Sequence, residues 1–121
     1  MRVATDIAGM LHFQKLDVYQ RAIEFLTVAN RIRTRLPKGN ADLADQLRRA
    51  SLSIPTNLAE GSSKGRDSEF LRFIGIAIGS AAEVDSLLAH AELVRALDAN
   101  VSRQLIDDLT VIRKMLFRLR G

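Results

Sequence analysis

The stretch Gln46-Leu-Arg-Arg-Ala-Ser-Leu-Ser-Ile-Pro-Thr-Asn-Leu-Ala-Glu-Gly61 decides the fold. Leu43, Leu47, Ala50, Ile54 and Leu58 recur every three or four positions and stay in phase across Pro55. That spacing predicts one helix, kinked at Pro55, that continues past it. An interior proline removes a helix hydrogen bond and costs about 3 kcal/mol. A polar stripe lies beside the apolar face: Gln46, Arg49, Ser53, Asn57 and Glu60 fall within a sector of roughly 80°. Polar groups at the margin of a core need partners, because an unpaired buried one costs free energy. Arg49 and neighbouring helices are the expected partners.

Working outward, three more amphipathic segments flank this one. Helix one is expected from Leu16 to Arg35, with the stripe Leu16, Tyr19, Ala22, Ile23, Leu26, Ala29 and Ile32. Leu36-Pro-Lys-Gly39 ends it, and Asn40 is the expected N-cap of helix two, with Asp42 in its first turn. Helix two is expected to stop near Gly61, and a polar link Ser62-Ser-Lys-Gly-Arg66 follows. Asp67 or Ser68 caps helix three, which is expected to reach Leu97. Helix four starts near Asp98 or Asn100 and runs to Leu119 on the stripe Val101, Leu105, Leu109, Ile112, Leu116 and Leu119. No β-strand alternation occurs, so the expected class is all-α. Short links favour an antiparallel up-down-up-down four-helix bundle over residues 11–121, with residues 1–10 as a flexible tail.

The composition agrees with a single domain: 121 residues, 47% hydrophobic and 26% charged. Cysteine is absent, which excludes disulfides and thiolate metal sites. No signal peptide is evident, and the apolar run Phe73 to Ala82 is about half of the ~20 residues a membrane span needs. A cytoplasmic protein with no membrane partner is expected.

Helix three is apolar or small around most of its circumference. It carries a second row of Gly75, Gly79, Ala82 and Ser86. Interior glycines cost about 1 kcal/mol each relative to alanine, which makes sense where another helix approaches closely. Helix four has Ile106 and Phe117 well off its core face. A helix greasy all round is usually buried all round. These six residues are the expected contacts with further copies of the chain.

Catalysis finds little support. His12 and His90 are isolated, there is no Glu-x-x-His pair for a di-iron bundle, and Glu60-Gly-Ser-Ser-Lys-Gly lacks P-loop spacing. No cofactor or metal is expected. Glu60 and Glu83 are the one carboxylate pair to weigh for acid–base work, and structural ion pairs with Arg49 or Arg72 are the favoured reading.

Charge is more informative. The net charge is +4. Residues 15–38 carry six cations and two anions, residues 67–100 two and six, and residues 101–121 five and two. In an up-down bundle Arg31, Arg33, Arg35 and Lys38 gather at one end. Lys64, Arg66, Arg113, Lys114, Arg118 and Arg120 gather at the other. Such clusters suit a phosphate backbone, RNA or DNA, with little sequence preference. The competing explanation is that the helix macrodipole favours cations at C-termini anyway.

Three quoted motifs also carry a resemblance: Phe13-Gln-Lys-Leu16-Asp-Val-Tyr19; Gln46-Leu-Arg-Arg-Ala50 with Ser53-Ile-Pro-Thr-Asn57-Leu-Ala-Glu-Gly61; and Glu69-Phe-Leu-Arg-Phe73 with Ile76-Ala-Ile-Gly-Ser80-Ala-Ala-Glu83. From Leu11 to Leu119 the chain resembles the bacterial four-helix-bundle proteins named for intervening sequences in 23S ribosomal RNA genes. That family includes the accessory variability determinant of diversity-generating retroelements. The resemblance implies a homopentamer without known enzymatic activity and, for the retroelement relative, a basic assembly that binds nucleic acid and a reverse transcriptase. It places Arg48, Arg49, Ser53, Pro55, Asn57, Glu60, Gly61, Ser80 and Glu83 on the family pattern. A protein-interaction scaffold serving a reverse transcriptase or another neighbouring gene product is the alternative function.

Overall fold

The computed structural model describes the backbone of residues 2–64 and 67–121 and the side chains of residues 12–63 and 68–121. Four helices account for nearly all of it: α1 Arg2–Arg33, α2 Ala41–Lys64, α3 Asp67–Leu93 and α4 Ala99–Arg120. Each packs on two others, α1 on α2 and α4, and α3 on α2 and α4. The result is a four-helix bundle around one core. Partners on α2 and α3 run in opposite order: Ser53 meets Ser80, and Gly61 lies against Phe70 and Phe73. On α3 and α4, Asp85 meets Arg113 and Glu92 meets Ser102.

Apolar periodicity explains the core on three helices. Leu47, Ala50, Ile54 and Leu58 are buried on α2; Ile74, Ala77, Ala81, Val84 and Leu88 on α3; Leu105, Leu109, Ile112, Leu116 and Leu119 on α4. Val101 is exposed instead, and Ser102 takes the buried position, its hydroxyl donating to Glu92 Oε2 at 3.3 Å. On α1 the expected stripe is rotated. The buried residues are Val18, Ala22, Phe25 and Ala29, whereas Leu16 and Ile23 are exposed. The helix carries apolar residues on two faces, and periodicity alone does not rank them.

Helix ends correct several expectations. α1 begins at Arg2, earlier than Leu16, and ends at Arg33. Asn40 sits at the N-cap position of α2, since its carbonyl accepts from Ala44 N at 2.9 Å. Its side chain does not cap; Nδ2 donates back to the Pro37 carbonyl at 2.9 Å. α2 runs on to Lys64, so Gly61 is an interior residue and not a terminator. A Cβ there would stand 2.9 Å from Phe73 Cβ, so the glycine lets α2 and α3 approach closely. α3 stops at Leu93, short of Leu97. There Ala96 N donates to the Ala91 carbonyl at 2.8 Å around Arg95, whose φ of 59° lies in the left-handed region. This is the Schellman closure, with arginine where glycine is usual. Asp98 caps α4 by accepting from Asn100 N at 3.2 Å.

α2 stays helical through Pro55. The missing N–H leaves the Ser51 carbonyl without its helical donor. The next two carbonyls each gain a side-chain donor: Thr56 Oγ1 to Leu52 O and Asn57 Nδ2 to Ser53 O, both at 2.8 Å. The sequence Pro-Thr-Asn thus carries its own reinforcement.

Candidate nucleic-acid interface

The polar stripe of α2 divides into two parts. Ser53 and Asn57 form a chain across the α2–α3 contact: Asn57 Nδ2 donates to Ser53 Oγ at 2.9 Å, and Ser53 Oγ lies 2.6 Å from Ser80 Oγ. Gln46, Arg49 and Glu60 are exposed. Arg49 does not serve the buried margin. Its Nε pairs with Asp45 Oδ2 at 3.0 Å, and Arg48 shares the same carboxylate at 3.2 Å. Arg72 pairs with Glu69 at 3.3 Å and lies over the Phe73 ring, so the expected partnership with Glu60 or Glu83 is not its arrangement. Glu83 faces solvent like Glu60. No group of three His, Cys, Asp or Glu suited to a metal occurs among the described residues.

Asn57 is held by donors it alone supplies. Asn57→Asp replaces the Nδ2 donor with an acceptor opposite the Ser53 carbonyl. It is expected to cost about 1–3 kcal/mol, read as a lower urea midpoint with unchanged m-value.

The row Gly75, Gly79, Ala82 and Ser86 is exposed on the side of α3 away from the core. A Cβ on Gly75 or Gly79 would meet nothing within 4 Å. The close approach expected of these glycines therefore does not occur within the protomer. Ile106 is half-buried against the core and Phe117 is exposed, with the Arg120 guanidinium 4.8 Å from its ring centroid. Gly75→Ala and Gly79→Ala are each expected to stabilise the isolated protomer by about 0.5–1 kcal/mol, measured by thermal melting at low concentration.

The cations sort by position. Along the flanks they are paired: Arg21 with Asp17, Arg48 and Arg49 with Asp45, Arg72 with Glu69, and Arg113 with Asp85. Arg113, assigned to a basic end from the sequence, is thus drawn to α3. Arg31, Arg33, Arg35 and Lys38 have no ion pair among the described residues, nor do Lys114, Arg118 and Arg120. The Lys64 side chain and Arg66 lie outside the described residues. The link after α1 lies against the C-terminal part of α3, since Gly39, Asn40 and Asp42 share a recess with Leu87 and His90. That brings two further cations without an ion pair among the described residues, Arg95 and Arg103, to the end that holds Arg31 and Lys38. Sequence reasoning missed both. They are far from Arg31 along the chain, and only the helix arrangement unites them.

A second feature was also missed. Two adjoining recesses between α1 and α2, about 390 and about 320 Å3, share Tyr19 and Ala59. Ile23, Leu52 and Pro55 line the first, Leu16 and Leu58 the second. The second apolar face of α1 was the available signal.

With the geometry in place, the chain can be set beside known proteins. Residues 14–118 match the pattern of the family described as 23S rRNA-intervening sequence protein. No curated protein matches. A crystal structure of a protein of unknown function from the S23 ribosomal protein family of Bacteroides thetaiotaomicron superposes with a TM-score of 0.82. It is 18% identical, and the match covers 92% of this chain and 97% of that one. At that identity the likeness speaks to the fold.

Proposed function

Because the chain belongs to the 23S rRNA-intervening sequence protein family, we propose that it is a non-enzymatic homo-oligomer, a pentamer by resemblance, that binds the backbone of RNA or DNA through its basic ends. The observation that supports this reading most is the segregation of charge. Flank cations are neutralised by carboxylates, whereas those at the ends are left unpaired among the described residues. Exposed, unpaired Arg and Lys displace counterions from a phosphate backbone, so binding must weaken steeply with salt. Self-association supplies several such ends to one strand. The open faces at Gly75 and Gly79 and the exposed Phe117 support docking of copies there.

The test is fluorescence anisotropy with labelled RNA and DNA, with light scattering on the same samples. Between about 50 and about 200 mM salt, affinity is expected to fall at least about 100-fold. Scattering is expected to give five times the 13.4 kDa chain mass. Binding that ignores salt, or none at low salt, rejects the nucleic-acid role. A monodisperse particle of the single-chain mass rejects the assembly.

The α1–α2 groove favours a second reading, a scaffold for a protein partner such as a reverse transcriptase. Leu16, Ile23 and Leu52 expose apolar surface along it. No helix among the described residues is long and apolar enough to cross a membrane.

A further inference from the structure

We infer that the two ends are not equivalent, and that the phosphate backbone is gripped at the end formed by the α1–α2 and α3–α4 links. This rests on the nucleic-acid reading above and assigns its site. At the opposite end two of the described cations lie against aromatic rings. The Lys15 ammonium lies 4.2 Å from the Phe70 ring centroid, and Arg120 stacks on Phe117. Among the described residues, Lys114 and Arg118 are what remains there; the Lys64 side chain and Arg66 lie outside them. At the link end Arg31, Arg35, Lys38, Arg95 and Arg103 are all exposed and without an ion pair among the described residues. They come from two helices and two links, so they surround the end of the bundle. Of the carboxylates at this end, Asp98 caps α4, Glu92 accepts from Ser102, and Asp42 is exposed in the first turn of α2.

Two further observations mark this end. Arg95 holds a φ of 59°, where an L side chain is disfavoured and glycine closes helices at less cost. The chain tolerates that conformation and places a guanidinium there. The Nε of Arg33, the last residue of α1, is buried with no hydrogen-bond partner among the described residues. A guanidinium held this way lacks a counter-charge, and a phosphate at its outer edge supplies one.

The experiment compares two groups of substitutions in the full chain, each checked by circular dichroism. One combines Arg31→Ala, Arg35→Ala, Lys38→Ala and Arg103→Ala; the other combines Lys114→Ala, Arg118→Ala and Arg120→Ala. The probe is a fluorescein-labelled single-stranded RNA, with anionic phospholipid vesicles run in parallel. The first group is expected to weaken RNA binding at least about 100-fold and to flatten the salt slope by up to about 3. The second is expected to leave affinity within about threefold. Equal losses, or a larger loss from the second group, overturn the assignment and leave the nucleic-acid reading standing. An unsubstituted protein that binds no RNA, with or without binding to the vesicles, removes both. Arg95→Gly separates function from packing: it is expected to raise the melting temperature while weakening RNA binding. A raised melting temperature with unchanged binding overturns the part given to Arg95.

Discussion

Gly61→Leu is expected to cost about 3 kcal/mol or more and to lower the melting temperature by about 10 °C or more. A Cβ at Gly61 would lie 2.9 Å from Phe73 Cβ and 3.5 Å from both Phe70 Cδ1 and the Phe70 carbonyl. Both Cβ atoms are fixed to helical backbone, so no rotamer change relieves the contact. α2 and α3 must move apart, or the end of α2 must peel away. Even Gly61→Ala is expected to destabilise. Alanine gains about 1 kcal/mol of helix propensity, but forcing the helices apart costs about 1–3 kcal/mol. Gly75→Leu is the internal control, because the same side chain there enters open space. Differential scanning calorimetry on both variants decides the matter. A Gly61→Leu protein that melts with the parent would show that the two helices have room to spare.

Ile54→Ala is expected to cost about 2–5 kcal/mol. Ile54 is 0% exposed, and the residue after it already lacks a backbone donor. Removing the side chain leaves a cavity beside a point where the helix has one bond fewer, so local collapse has little to draw on. Leu52→Ala, two positions away, is expected to cost less than about 1 kcal/mol in the protomer, because Leu52 is 43% exposed. Urea titration of the two variants reads the contrast directly. Equal losses would mean that the α1–α2 groove is covered in solution.

The fold was legible where one apolar face dominates. On α2, α3 and α4 the inward residues repeat in unbroken helical phase, whereas outward ones such as Leu52, Leu71, Ile76 and Phe117 form no such stripe, and the pattern of Leu47, Ile54, Ile74, Leu88, Leu109 and Leu116 identifies the core. On α1, Leu16 and Ile23 are as apolar as Val18 and Phe25, and only packing decides which pair is buried. Gly61 was misread because a glycine near a helix end resembles a terminator. Its true constraint is a phenylalanine on another helix, which local sequence does not encode. The polar stripe was legible as a stripe, but not its division. Ser80, the hydroxyl that completes the chain from Asn57 through Ser53, stands 27 residues away from Ser53. The basic site was partly legible for the same reason. Runs such as Arg31 to Lys38 are visible locally, whereas Arg95 and Arg103 join them only once α3 and α4 fold back.

The Ser53–Ser80 hydroxyl pair and the space at Gly61 act together as a vernier. Sliding α2 along α3 by one turn, about 5.4 Å, would part the two hydroxyls and drive a side chain against Phe73 in place of the glycine. Apolar faces of repeating leucine and isoleucine tolerate several axial offsets, and these two small contacts select one. A sequence with the same greasy stripe but alanine at these three positions should therefore still collapse into four helices, yet sample shifted packings with broadened side-chain resonances and weaker cooperativity of melting.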